Sequence, residues 1–250
     1  MKLYDLEIGR FKEIFINLNR SALYDGLSQS DVNGVKSWRV LDKEELILKS
    51  DMAYELGGGT KAAIGAMAFT TSRECIADDR VFFLGKDLGE IKETSDYARF
   101  TVIRLKEDVI KNLSEEQIYG VMKKIDYVRY HVHIEGFMMR VSSVLDREQV
   151  RVSKAAVLSG INFASVGMSF IEAYKKCPEV EAVQIYFLTV NDADYGRIGG
   201  IAFRCEQITD SLNHIFNGLV MDCSTCNLKT ICDEAEGMRE MHLAVEGKTV

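Results

Sequence analysis

This chain predicts an α/β fold, with α+β as the alternative: a mixed sheet flanked by helices, then a long helix leading to a cysteine cluster and a short last helix. Three observations carry that expectation. Short apolar or alternating runs crowd residues 39–105, helical periodicities stand on both sides of them, and a helix runs directly into a buried strand over 163–189.

Taken in order, Tyr4, Ile8, Phe11, Phe15 and Leu18 recur at helical spacing, so 4–19 is an amphipathic helix that needs a partner for its apolar face. From Arg39 the runs WRVL, ELILK, MAYEL, AIGAMAFT, RVFFLG and RFTVIRL, separated by Gly, Asp and Ser, read as strands. Ser114 and Gln117 form a capping box that opens a helix to about Tyr130, and Ser153 is the next capped start. Phe163, Val166, Phe170 and Tyr174 mark a helix ending before Pro178, and EAVQIYFLT follows as a buried strand. Tyr195, Ile198, Ile201, Cys205, Ile208, Leu212, Ile215 and Leu219 then step by three or four along a helix of roughly 25 residues. Ile231, Ala235, Met238 and His242 trace a last helix, with Asp233 and Glu234 in its first turn beside the positive end of the dipole. The expected organisation is an N-terminal α/β region over 1–125, a second over 126–220 and a cysteine tail over 221–250, or else one compact unit.

Composition narrows the function classes. At 250 residues with 47% hydrophobic residues the chain can bury a sizeable core. A formal charge of −7 without a basic stripe argues against a nucleic-acid surface, which needs clustered Lys and Arg to displace counterions. Apolar runs such as AAIGAMAF fall short of the ~20 residues of a membrane helix, and the N-terminus has no signal-peptide core. A soluble, cytoplasmic protein is expected. Cys75, Cys177 and Cys205 are scattered, which suits reduced thiols rather than a disulfide framework.

The other three cysteines carry the chemistry. Cys223, Cys226 and Cys232 form a C-x2-C-x5-C cluster, a density of thiolates suited to a soft metal or an iron–sulfur cluster. With Cys232 at the start of the last helix, free backbone N–H groups would stabilise its sulfur. A fourth ligand is not evident. Cys205 lies on the apolar stripe of the long helix, ~21 Å below Leu219 at 1.5 Å per residue. The residues from there to Cys223 return only ~13 Å, so Cys205 belongs to the core. His242 is ~15 Å along a helix from Cys232. Glu236 lies one turn away; His214, Cys75, Cys177, a thiolate of another subunit or an open position are the alternatives. A closed zinc site wants four protein ligands whereas a cubane can leave one iron open, which favours [4Fe–4S] over zinc.

Gly57, Gly58 and Gly59 could let backbone N–H groups approach a phosphate, with Lys61, Arg151 and Lys154 adding charge, although no P-loop Lys-Ser/Thr follows. A flexible strand connection is the plainer reading. His131 and His133 would share one face of a strand, as ordinary polar histidines or as a ligand pair.

The strings DMAYELGGGTKAA, DRVFFLGKDLGE, RYHVHIEGFMMR, RVSKAAV and EAVQIYFLT come in an order that resembles acetyl-CoA synthase of the carbon monoxide dehydrogenase/acetyl-CoA synthase system, over about residues 50–230. The resemblance implies an α/β domain handling coenzyme A, followed by an iron–sulfur site, in anaerobic metabolism. Cys223 and Cys226 stand as counterparts of the family's leading C-x2-C, and Cys232 loosely as a third ligand. The family's site uses four cysteines for the cubane and a Cys-Gly-Cys pair for nickel; this chain has no Cys-x-Cys, and it ends where the family's large C-terminal domain would begin. The expectation is therefore an accessory iron–sulfur protein serving electron transfer, sensing or acyl/coenzyme A binding, with a redox or corrinoid protein of that system as partner and oligomers allowed. The resemblance does not support nickel-dependent condensation by this chain alone. The competing readings are an interaction module pinned by structural zinc and an enzyme binding substrate at an open cluster iron.

Overall fold

A computed structural model describes residues 2–20, 28–31, 34–142, 147–191, 193–216, 226–235, 237–238 and 240–241. The element order opens with α1 (Asp5–Arg20), β1 (Ser28–Asp31), β2 (Val40–Leu41), β3 (Met52–Leu56), β4 (Ala63–Thr70), β5 (Arg80–Leu84) and β6 (Tyr97–Leu105). It continues through α2 (Glu107–Ile110), α3 (Glu115–Val128), β7 (His133–Ile134), β8 (Phe137–Ser142) and β9 (Arg147–Ser153). The last elements are α4 (Lys154–Leu158), α5 (Phe163–Lys175), β10 (Val180–Leu188), α6 (Tyr195–Phe216) and α7 (Lys229–Glu234).

The mixed α/β architecture is as expected, but the strands divide between two sheets. One is mixed, in the order β1-β5-β10-β6-β4; the other is antiparallel, in the order β2-β7-β8-β9-β3. In the mixed sheet β10 runs parallel to β5 and antiparallel to β6, and β6 runs parallel to β4. All nine residues of β6 are buried, the polar Arg99, Thr101 and Arg104 among them, as befits a strand covered on both faces.

One face of the mixed sheet receives α1 and α6. Phe11 stacks on Phe100 at 4.1 Å, Phe15 meets Tyr186 edge-on at 5.0 Å, and Tyr4 meets Phe69 at 5.9 Å. Each of these buried rings contributes about 1.5–3 kcal/mol by transfer alone, which is how α1 is held. The other face receives α5, where Gly167 lets the helix close on Val81: a Cβ there would stand 2.5 Å from Val81 Cγ2. Beside α5 on that face sits the antiparallel sheet. Gly65 of β4 makes room for Glu148 of β9, and Glu148 Oε2 accepts from Arg99 Nη2 at 2.7 Å.

The helix starts follow their capping chemistry. Ser114 and Gln117 form the complete box, Ser153 Oγ accepts from Ala156 N at 3.1 Å, and Asn162 caps α5. Two sequence expectations need correction. ELILK forms no strand: Leu46 and Leu48 are exposed, while Ile47 is buried with its N–H on Met138 Sδ, so the run is tied by side chains and has no ladder partner. Of the two histidines only His133 lies in a strand; His131 sits in the turn before β7, stacked on Tyr127 at 3.8 Å. Gly136, with φ of 70°, turns the chain from β7 into β8.

Candidate functional site

The cysteine segment is carried by α6. Its buried stripe of Ile198, Ile201, Ala202, Cys205, Ile208, Leu212 and Ile215 lies against the body, and Asp194 Oδ1 caps its start through Arg197 N at 2.9 Å. Cys205 is 2% exposed and belongs to the core, as the helix arithmetic requires. Leu219, Cys223, Glu236 and His242 lie outside the described residues.

Cys226 and Cys232 are half-buried thiols packed against the main core. Cys226 Sγ accepts the Leu228 N–H at 3.4 Å, and its carbonyl accepts from Lys229 N at 3.3 Å, so the chain folds tightly around this sulfur. Hydrogen bonds to sulfur are among the contacts that accompany cysteine ligands of iron–sulfur clusters. Buried Leu228, Ile231 and Met238 anchor the segment around the two cysteines.

The last helix differs from its expected form. It begins at Lys229, so Cys232 is its fourth residue and its N–H is already bonded to Leu228 O at 3.1 Å. Asp233 and Glu234 fall at its C-terminal end, and Gly237, with φ of 87°, stands just past it, so the helical run does not continue unbroken toward position 242. Rather than meeting the helix dipole, Glu234 pairs with Arg204 Nη2, while Arg204 Nε donates to Glu7 Oε1 at 2.7 Å. Glu7 is 2% exposed and also receives Arg10 at 2.8 Å, and the Arg204 guanidinium of α6 ties α1 to α7 through Glu7 and Glu234. Hydrogen bonds to Glu7 and Glu234 raise the Arg204 pKa and hold it charged.

One orphaned donor lies near the end of α6. His214 Nδ1 is buried without a hydrogen-bond partner among the described residues. No group of three His, Cys, Asp or Glu side chains suited to a metal occurs among the described residues, a set that excludes Cys223 and Glu236. Cys226 and Cys232 are two half-buried thiols on one short anchored segment, and sulfur is the donor type that soft metals take. Of the scattered cysteines, Cys177 is buried beside Pro178 and Cys75 is half-buried near Lys12; burial raises both thiol pKa values, leaving them protonated.

The glycine loop is a tight packing device. Gly57 and Gly59 adopt positive φ of 71° and 63°, and a Cβ on Gly57 would stand 2.5 Å from Ala63 Cβ. Its polar groups are partly consumed: Gly57 N donates to Ser95 O at 2.8 Å, Gly57 O accepts from Gln149, and Gly58 O accepts from Lys61 N. The cations are engaged as well. Arg151 Nε pairs with Glu55 at 2.6 Å, Lys61 with Asp96 at 3.2 Å, and Lys154 Nζ donates to Ser50 O at 2.9 Å. Lys61 nevertheless lines an open cleft of about 690 Å³ between the start of β4 and the first turns of α6, together with Arg147, Asn191, Gly196, Gly199 and the exposed Phe203. Sequence reasoning missed Arg147 and Phe203 because an isolated exposed side chain has no signature until the fold surrounds it with a cleft.

A sequence model of the family described as CO dehydrogenase/acetyl-CoA synthase complex beta subunit matches residues 41–193, more than half of the chain. No curated protein matches the chain. No helix among the described residues is long and apolar enough to cross a membrane.

Proposed function

The chain belongs to the CO dehydrogenase/acetyl-CoA synthase beta-subunit family, and from that premise we propose that it is an accessory, cytoplasmic iron–sulfur protein of the acetyl-CoA synthase type, holding a [4Fe–4S] cluster on Cys223, Cys226 and Cys232. The observation that carries this reading is the Leu228 N–H on Cys226 Sγ, in a segment anchored to the body through Leu228, Ile231 and Glu234. Cys232, half-buried on α7, is the second described donor. Glu236 and His214 are the candidates to complete the set, and a buried Nδ1 without a hydrogen-bond partner among the described residues supports His214. When bound, such a cluster supplies one-electron transfer or an open coordination position. Cys226 and Cys232 pack against the apolar core beside buried Leu228 and Ile231.

The absence of Cys-x-Cys supports a site without nickel. The cleft beside Lys61 and Arg147 supports coenzyme A or acyl binding, with the anionic groups of the ligand on those cations and its apolar parts on Phe203. Gly57, Gly58 and Gly59 serve that cleft by holding the β3–β4 connection in shape; Arg151 fixes Glu55, while Lys154 anchors the loop at Ser50. A redox or corrinoid protein of the same system is the partner implied by the role.

Anaerobic reconstitution with iron and sulfide tests the reading. The expected result is about four irons and four sulfides per chain, a broad absorption near ~400 nm, and its loss in Cys226→Ser or Cys232→Ser. His214→Gln is expected to keep the iron but change the electron paramagnetic resonance spectrum of the reduced protein. One zinc per chain and no iron after the same treatment would establish the structural-zinc reading instead.

A further inference from the structure

A second cleft, of about 350 Å³, opens between α1 and the outer part of the mixed sheet, away from the cysteine segment. Its apolar wall is formed by Phe15, Ile16, Ile76 and Phe82, with Phe82 stacked on Tyr186 at 4.7 Å and Phe15 edge-on to Phe82 at 6.2 Å. Phe15 is buried in the core, but Phe82 is half-buried and Ile16 is 47% exposed, so the wall presents apolar surface to the opening. The volume falls within the range of small-molecule sites.

The polar lining holds three cations, Lys12, Arg73 and Arg80, against two carboxylates, Glu74 and Asp78. Lys12 is half-buried on α1, and its ammonium donates to the Cys75 carbonyl. Arg73 stands at the rim. Neither forms an ion pair with a carboxylate among the described residues, in contrast to Arg80 in the same lining, which grips Asp78 through two bonds of 2.8 and 2.9 Å. A half-buried cation held only by a carbonyl lacks the countercharge that usually accompanies burial. Burial lowers the Lys12 pKa, and a bound anion would reverse that shift.

We propose that this cleft binds a small amphipathic anion, with a flat apolar body against Phe82, Ile16 and Ile76 and a carboxylate or phosphate head on Lys12 and Arg73. Shape and charge each demand one part of that ligand. The aromatic wall favours a planar body over a branched one, because a flat ring keeps full contact with Phe82. The two cations favour a head with two acceptor oxygens. One wall of the cleft is α1, which lies outside the matched residues 41–193, so the site does not follow from family membership. It is also independent of any cluster on the cysteines.

Cys75 lines the cleft as a half-buried thiol and serves as an internal reporter. The intact protein is titrated with phenylacetate, adenosine 5′-monophosphate and inorganic phosphate, with binding read by calorimetry and by site-resolved alkylation of Cys75. The expected result is saturable binding of phenylacetate or the nucleotide, with Cys75 alkylation slowed at least about fivefold and Cys226 alkylation unchanged. Lys12→Met is expected to weaken binding about tenfold or more, and Arg73→Ala severalfold, as loss of a charge-assisted contact predicts. Because Arg73 is exposed, its variant keeps the test valid should Lys12→Met fold poorly. Preference for phenylacetate identifies a carboxylate head, and preference for the nucleotide a phosphate head. Three results would overturn the proposal: no binding of either organic probe, inorganic phosphate binding as tightly as the nucleotide, or affinities unchanged in both variants.

Discussion

At the residue scale the most consequential pair is Arg99 and Glu148, 2% and 0% exposed, which join the mixed sheet to the antiparallel one. Glu148 also accepts from Tyr97 Oη at 3.1 Å, and Arg99 lies over the Phe170 ring at 4.4 Å. Arg99 Nε and Nη1 remain unpartnered among the described residues, so the pair is incompletely satisfied and its desolvation offsets much of its attraction. Nearby burial pushes the Tyr174 phenol up to about 12, so it stays neutral beside Arg99. Arg99→Met strands a buried carboxylate and is expected to cost about 3–5 kcal/mol. The double variant Arg99→Met/Glu148→Gln should recover part of that loss in urea melts, and a double variant as unstable as the sum of the singles would refute the coupling. Asp87 offers a pH test. Its Oδ1 accepts from Phe163 N at 2.8 Å and Leu88 N at 2.7 Å, yet burial raises its pKa. The fold thus favours the neutral acid; the stability it confers at this position is full below the ordinary aspartate value of ~3.9 and declines as pH rises through the raised value. Asp87→Asn keeps the acceptor and removes the charge. Its Tm should match the parent near pH ~3 and exceed it at pH 7.

At the element scale, α7 depends on Arg204. Three short apolar anchors and the Glu234 pair hold a helix of six residues that could not persist alone. Arg204→Ala leaves Glu7 buried with only Arg10 and releases Glu234, so α7 should loosen while α6 stays in place. The expected readout is alkylation of Cys226 and Cys232 accelerated severalfold at a cost in global stability of about 1–2 kcal/mol, against an unchanged rate at the buried Cys205. Equal acceleration at Cys205 would mean that Arg204 supports the whole fold rather than this segment. The same region marks the boundary of what the sequence made legible. The periodicities of α1, α5 and α6 were readable because each helix buries one continuous stripe, and α3 and the start at Ser153 were readable from their caps, which are local chemistry. The start of α7 was not, since Asp233 and Glu234 suit a first turn as well as they suit a pair with a distant arginine. ELILK reads as a strand by alternation, but a strand needs a ladder partner, and Arg151 and Met138 took up its polar groups instead. The strand SQSD of β1 has no apolar signal and owes its conformation to pairing with β5.

At the scale of the whole molecule, each sheet draws strands from both sides of residue 125: β10 lies between β5 and β6, and β3 pairs with β9. Cutting the chain there would divide both sheets, so the elements on either side should not fold separately. Trp38, the single tryptophan, reports on the junction. Its Nε1 donates to Glu135 O at 2.9 Å, while its backbone N–H reaches Ser165 O of α5 at 3.1 Å, linking the antiparallel sheet to the helix that covers the mixed one. Tryptophan fluorescence and far-ultraviolet circular dichroism should therefore give coincident urea transitions, the signature of one cooperative unit. Gly65→Val provides the mechanical test. A Cβ at Gly65 would stand 2.7 Å from Glu148 Cβ and Oε2, so the larger side chain must push β9 away from β4 and strain the Arg99 pair with it. If the sheets are coupled through that contact, both probes shift together to lower urea, by about 2 kcal/mol or more. A fluorescence transition that moves alone would show that the antiparallel sheet can detach from a mixed sheet that remains folded.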